Sequence, residues 1–312
     1  MKHCPITYEK ITSHENYSKR GLHLLSPQLK NLKALAFSAD EQRKEAIARA
    51  GKMSVQGVQT KLSAQLKITD ECFELVDQQG HYILKPQSDY YPELPENEAI
   101  TMTLAKIIGL EVPVHGLLYS SDKSMTYFIK RFDRGTCHKK FSLEDFAQLS
   151  GNDRQTKYNS SMEQVVSIIT QFCTFPKIEL LKLFKLTLFN FLIGNEDMHL
   201  KNFSLITRDN KIMLSPAYDL LNTTIAQKNT KEEIALPING RKNNLRKKDF
   251  MDYFAMERLG LNKIVITDVV RDIKQALPRW YDLLSISFLS HAMRKKYSDL
   301  LKDRSERMNF MQ

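Results

Sequence analysis

The chain has little cysteine and no long hydrophobic run, and each shortage closes a class of function. Its four cysteines, Cys4, Cys72, Cys137 and Cys173, form neither a CxxC pair nor a CxxC…HxxxH spacing, which argues against a structural zinc and a disulfide framework. All four are expected as reduced packing residues. The longest apolar stretch, residues 180–194, is interrupted by Lys182, Lys185 and Asn190 and falls short of the roughly 18 to 20 apolar residues of a membrane span. The opening "MKHCPITYEKITSHENYSKR" has no apolar core and no small-residue cleavage site. A cytoplasmic chain with no membrane partner is the expectation. His115, His138 and His291 have no second ligand at metal spacing and read as structural.

What is present is the composition of a globular protein: 312 residues, 42% hydrophobic and 26% charged, enough for one large or two modest domains. Lys plus Arg number 46 against 36 Asp plus Glu, a net charge of +10. That excess suits an acidic partner, whether nucleotide phosphates, nucleic acid or an acidic protein.

Residues 1–37 show little periodicity. "SADEQRKEAIARAGK" then reads as a short helix with Ser38 as N-cap, Glu41 at the capping-box position and Gly51 as its stop. "SVQGVQTKLSAQLKI" and "CFELVDQQGHYILKP" alternate apolar and polar residues around a turn-like "DQQG", the pattern of antiparallel strands. Helical spacing follows from Asn97 and closes at Gly109. Strand character returns over residues 112–134, with a turn at "SSDK". Beyond Phe141 the spacing predicts helices at 161–173, 177–194, 247–260, 263–276 and 278–303, and no internal repeat or low-complexity tract occurs. The fold class is α+β, with a β-rich part at 1–140 and an α-helical part at 141–312.

In "FNFLIGNEDMHLKN" an apolar run turns abruptly polar, which predicts a buried helix delivering a rigid polar loop. Asp197 and Asn202 stand at the spacing D-x-x-x-x-N, in which the Asp of a kinase receives the substrate hydroxyl proton and the Asn binds magnesium. Asp219, after the strand-like "IMLS", is a second carboxylate able to bridge magnesium to phosphates. Upstream, Lys85 lies in the apolar strand "HYILKP" and Glu98 on the next helix, the order by which a kinase holds the α and β phosphates of ATP. The plainer alternatives are a snorkelling edge lysine, a charged helix-end loop and an unrelated turn aspartate. An ordinary protein kinase is excluded, because no G-x-G-x-x-G precedes Lys85 and neither HRD nor DFG occurs.

The stretches "SVQGVQTKLSA", "YILKP", "NEAITMTLAKIIGLEVP", "IKRFDR", "EDFAQLSG", "FNFLIGNEDMHLKNFSLI", "LSPAYDLLNT" and "ALPINGRKNNL" stand in the order of the HipA family, which this chain resembles over most of residues 50–260. That family comprises serine/threonine kinases acting as toxins of bacterial toxin–antitoxin operons. The resemblance implies a two-lobed kinase-like fold with a β-rich ATP-covering N-lobe and an α-helical C-lobe. It implies Asp197 as catalytic base, Asn202 and Asp219 as magnesium ligands and Lys85 as the ATP-anchoring lysine. Gln56, Gly57, Val58, Gln59, Thr60 and Lys61 fall on the phosphate-covering loop, and Lys130, Arg131 and Phe132 where the family binds adenine. Further nucleotide contacts fall on His199, Leu200, Lys201, Asn202, Tyr218 and Asp219. Ser54 is at the position the family autophosphorylates. The hinge departs from the family in carrying Lys130 where an acidic residue is usual.

Full-length HipA kinases carry a small N-terminal subdomain before the phosphate loop, where this chain has only residues 1–53. The chain is therefore most similar to the short HipT kinases, whose partners are a separate small protein, HipS, and the DNA-binding HipB. A HipS-like partner is expected to cover apolar surface on the β-rich lobe, unless residues 1–50 fold back over it. The family's targets are aminoacyl-tRNA synthetases. Arg241, Lys242, Arg246, Lys247 and Lys248 form a basic segment that is either a solvated face or a contact to DNA phosphate. Other functions in view are a catalytically silent binding module in an antitoxin–DNA assembly and a small-molecule or lipid kinase.

Overall fold

The computed structural model describes residues 2–49, 60–135, 139–151, 156–227 and 232–311. The chain divides into two compact units, the first made of Met1–Ile100, Pro113–His138 and Ser285–Ser290, the second of Thr101–Val112, Lys139–Leu284 and His291–Gln312.

The first unit begins with the short strands β1 (Lys2–His3) and β2 (Lys10–Ile11) and the helices α1 (Lys19–Leu25) and α2 (Ala39–Arg49). Its centre is a five-stranded antiparallel sheet of β3 (Leu62–Lys67), β4 (Cys72–Leu75), β5 (Tyr82–Lys85), β6 (His115–Tyr119) and β7 (Met125–Lys130), in the order β4-β3-β5-β7-β6. Helix α3 (Leu94–Ile107) begins between β5 and β6. It starts three residues before the expected Asn97, because Leu94 is already buried and extends the apolar face by a turn.

Residues 1–37, which lack periodicity, are integral to this unit. Ser18 caps α1 by accepting from Gly21 N, and Leu22, Leu25, Leu29, Leu32 and Leu35 join one core cluster with Leu62, Phe73 and Leu84 of the sheet. Leucines three to four apart that cross from helix into irregular chain keep one side buried without sustaining a helical pattern. Residues 4–46 of the chain itself thus pack on this sheet, as the fold-back alternative expected.

The second unit contains a three-stranded antiparallel sheet, β8 (Leu143–Asp145), β9 (Ser204–Arg208) and β10 (Lys211–Leu214), in the order β10-β9-β8. Its helices are α4 (Phe146–Leu149), α5 (Met162–Phe172), α6 (Pro176–Ile193), α7 (Thr223–Ala226), α8 (Lys263–Ser285) and α9 (His291–Arg307). α6 packs against α5 and α9 and is buried almost all round, which is why its sequence is apolar on every face. Residues 249–258 form a π-helix rather than the expected α-helix. The expected break at Pro278 is also corrected, since α8 runs through it to Ser285. Burial of Ile273, Leu277, Trp280 and Leu284 along one stripe offsets the hydrogen bond that proline removes, and Trp280 Nε1 donates to Leu104 O at 3.1 Å. No described helix is long and apolar enough to cross a membrane.

Candidate active site

In the first unit Lys85 ends β5 opposite Tyr127 of β7. A snorkelling lysine would reach solvent, but this side chain is 2% exposed and its Nζ lies 2.6 Å from Oε1 of Glu98, itself 1% exposed, on α3. The ammonium also lies 5.4 Å from the Tyr127 ring centroid. Burying both charges is costly, so the pair persists only because each neutralises the other at hydrogen-bonding distance. Two residues before Glu98 a second buried carboxyl, Glu96, accepts from Gln87 Nε2 with both oxygens, at 2.7 and 2.8 Å. Burial pushes its pKa up to about 7.

The expected adenine-binding residues follow β7. Lys130 N donates to Val114 O at 2.7 Å and Arg131 N to His81 O at 2.8 Å, so both backbone donors are engaged within the unit. Arg131 grips Asp133 with two bonds, at 3.0 and 2.8 Å, and Phe132 is half-buried between them. Thr60 and Lys61 precede β3 and are half-buried. Ser54, Gln56, Gly57, Val58 and Gln59 lie outside the described residues, as does Cys137.

In the second unit the polar loop grows from the end of α6. Gly194 closes that helix in the left-handed conformation, φ 74°, and its carbonyl accepts from the backbone of Thr223 at 3.0 Å and Thr224 at 3.1 Å. Asn195 Oδ1 accepts from Asp197 N at 3.2 Å. The Asp197 carbonyl then accepts from His199 N and from Asn202 Nδ2, both at 2.8 Å. The D-x-x-x-x-N spacing is thus a closed turn in which the asparagine amide holds the backbone of the aspartate. Glu196, beside Asp197, is bound by Thr224 Oγ1 at 2.5 Å and lies 3.5 Å from Arg304 of α9.

Other predicted residues surround this turn. Leu200–Asn202 form one 3-10 turn, with Leu200 fully buried. Lys201 O accepts from Tyr218 Oη at 3.0 Å, and its Nζ lies 3.4 Å from Asp145. Asp219 follows Tyr218 with φ 53°, a strained backbone for a non-glycine residue. Asn202, with Nδ2 committed, keeps its Oδ1 as an oxygen ligand; this amide oxygen and the Asp219 carboxylate are the described residues here of the hard type that could hold a magnesium ion. Among the described residues no group of three or more His, Cys, Asp or Glu forms a protein-only metal cage.

Two residues here carry no sequence signal. Tyr158 Oη donates to Asp197 Oδ1 across 39 positions of chain. Lys157 Nζ lies 2.6 Å from His199 Nε2. Burial holds the His199 pKa below its ordinary value, and with Nε2 accepting from the ammonium the ring proton sits on Nδ1, which is buried without a partner.

Residues 53–281 match the family model of the HipA-like C-terminal domain. A candidate kinase of Haemophilus influenzae is 31% identical, over 93% of this chain and 92% of its own length. The serine/threonine-protein kinase toxin HipA of Shewanella oneidensis is 25% identical over 60% of this chain and 47% of that protein. Among solved structures, the Shewanella oneidensis HipA complex with HipB and operator DNA superposes with a TM-score of 0.67 at 22% identity, over 89% of this chain and 72% of that one. The Helicobacter pylori proinflammatory kinase CtkA superposes with a TM-score of 0.52 at 15% identity, over 72% and 86%. The protein therefore belongs to the family of the HipA-like C-terminal domain and has its α+β kinase-like fold.

Proposed function

We propose that this protein is an ATP- and magnesium-dependent serine/threonine protein kinase, with residues 1–140 as its ATP-covering lobe and 141–312 as the lobe bearing the catalytic loop. The observation that carries the reading is the closed turn from Asp197 to Asn202, which presents a carboxylate and an amide oxygen on one rigid loop. Asp197 accepts the proton of the acceptor hydroxyl as its oxygen attacks the γ-phosphorus and ADP leaves. Lys85, held by Glu98, neutralises α- and β-phosphate oxygens. Asn202 and Asp219 are the ligands for magnesium, which when bound offsets the charge of the phosphates.

The biological role follows the family resemblance: a cytoplasmic toxin that phosphorylates an aminoacyl-tRNA synthetase, with Ser54 as its own regulatory acceptor. A HipB-like antitoxin is the proposed partner, in keeping with the HipB–DNA complex of the Shewanella protein. The basic segment offers DNA a surface in such a complex. Arg241 faces Asp249 at 3.8 Å and Lys242 pairs with Glu232 at 3.2 Å, whereas Arg246, Lys247 and Lys248 line an open cavity of about 640 Å³. The assignment to the HipT type, with a HipS-like partner, rests on the resemblance alone.

The test is labelled ATP incubated with a cell lysate and the purified protein, followed by identification of the labelled band. Asp197→Asn is expected to keep ATP and lose about 10² to 10⁴ in transfer rate, the usual contribution of a general base. Near-full turnover in that variant would remove the assigned role.

A further inference from the structure

The Asp197 carboxylate meets a side chain from outside the motif, that of Tyr158. Its loop is already fixed through backbone atoms by Asn195, His199 and Asn202, so shaping the loop leaves nothing for Tyr158 to do. Tyr158 bonds the side chain instead, donating its hydroxyl to Oδ1, the oxygen that also lies 3.8 Å from His199 Nε2. A general base must stand within hydrogen-bond reach of the hydroxyl whose proton it takes, and the phenol meets that requirement with a neutral O–H group.

Several contacts hold it there. The Tyr158 ring meets His199 edge-on, with centroids 5.0 Å apart and planes at 83°. The Lys157 ammonium lies 4.9 Å from the same ring, and Lys157 O accepts from Leu200 N at 3.3 Å. Burial and the neighbouring Asp197 charge raise the phenol pKa, so it remains a donor at neutral pH.

We infer that Tyr158 is a built-in stand-in for the acceptor hydroxyl, which occupies the proton-accepting oxygen of Asp197 until a protein substrate displaces it. The inference rests on the kinase reading above and adds a consequence. The phenol competes with water for the same oxygen, so ATP hydrolysis is slowed while no substrate is docked. When the tyrosine is displaced, its proton stays on the phenol, and Asp197 takes the proton of the incoming hydroxyl instead. With water as acceptor, the water oxygen would bond to the γ-phosphorus, the bond to ADP would break and the released proton would pass to Asp197.

The experiment compares ADP formation from magnesium-ATP, without any protein acceptor, by the wild-type chain, Tyr158→Phe, Tyr158→Ala and the Tyr158→Phe/Asp197→Asn double variant. Circular dichroism verifies folding, and a fluorescent ATP analogue reports binding. Both single variants are expected to hydrolyse ATP about tenfold faster than wild type, the scale of losing one hydrogen bond to a charged group, and the double variant is expected to lose the gain. Hydrolysis equal to or slower than wild type in both single variants, with the analogue bound, would overturn the inference. Phosphate found on Tyr158 would overturn it as well, since the phenol would then be an acceptor and not a stand-in.

A second measurement does not depend on catalysis. Carbodiimide labelling of Asp197, read by peptide mass spectrometry, is expected to be faster in Tyr158→Phe than in wild type. Unchanged labelling would count against Tyr158 occupancy even if the kinase reading held. Faster labelling with no ATP binding would retain the contact and remove the kinase.

Discussion

At the scale of single residues the decisive facts are buried charges. Lys85 and Glu98 are 2% and 1% exposed, so removing either takes from the other an ion-pair partner inside the protein. Lys85→Met is expected to cost about 3 to 5 kcal/mol of stability, read as a fall in the urea midpoint. Replacing both partners, Lys85→Met with Glu98→Leu, should recover much of that loss. A single variant as stable as wild type would show that the pair is not buried in solution. Glu96 gives a prediction in pH. Its pKa is raised to about 7 in the folded state from 4.5, so between those values the native protein holds a proton the unfolded chain has released. Its contribution therefore makes stability fall as pH rises from about 4.5 to 7. Glu96→Gln cannot ionise and should flatten the curve of unfolding free energy in that window. An unchanged slope would assign the raised pKa elsewhere.

At the scale of elements, the catalytic turn depends on how α6 ends. Gly194 has φ 74°, and a Cβ there would lie 2.7 Å from Thr224 Oγ1 and 2.9 Å from Asn222 Oδ1, with Leu300 closer still. Those neighbours cannot withdraw without disturbing the 222–224 turn that bonds the Gly194 carbonyl. Gly194→Ala is expected to lose about 1 to 2 kcal/mol from the left-handed backbone and a further 1 to 3 kcal/mol, roughly, from overpacking. Because the strain enters at the root of the Asp197 loop, phosphotransfer should fall more than ATP binding does. A thermal melt and a parallel binding titration check this, and equal losses in both would mean that the substitution unfolds the unit as a whole. Pro278 teaches a different lesson about elements. Local propensity says the helix stops there, whereas burial of Trp280 and Leu284 beyond the proline carries α8 on to Ser285.

At the scale of the whole molecule, the notable feature is that residues 4–46 complete the core of the first unit. Leu32 is 1% exposed and Leu35 4%, and both sit in the cluster with the sheet residues Leu62, Phe73 and Leu84. Deleting residues 1–36 should uncover that sheet face, so that the shortened protein binds a hydrophobic dye and self-associates while the intact chain does neither. Size-exclusion chromatography with dye fluorescence reads the outcome. A shortened protein that stays monomeric and dark would show that the lead-in is an appendage. The finer Leu32→Ala change should cost about 2 to 5 kcal/mol, the usual penalty for a leucine truncated in a core.

The sequence by itself determined the α+β class, the strands around Lys85, the buried helix α6 and the Asp197–Asn202 turn, because each of these is written in short-range periodicity or in a fixed spacing. It pointed also to the HipA-like family, since those motifs stand in order along the chain. Only the tertiary structure decided what covers the sheet, that Lys85 is ion-paired rather than snorkelling, and that Tyr158 reaches Asp197. Each of these depends on which distant residues share a volume. The leucines of residues 22–35 keep a three-to-four spacing although the helix ends at Leu25, so the spacing alone does not show which surface they cover, and Tyr158 stands 39 positions from its partner in a stretch without pattern. Hydrophobic periodicity reports the geometry of one element at a time, whereas a buried contact between elements is chosen by packing and by the cost of leaving a charge or polar group unpaired.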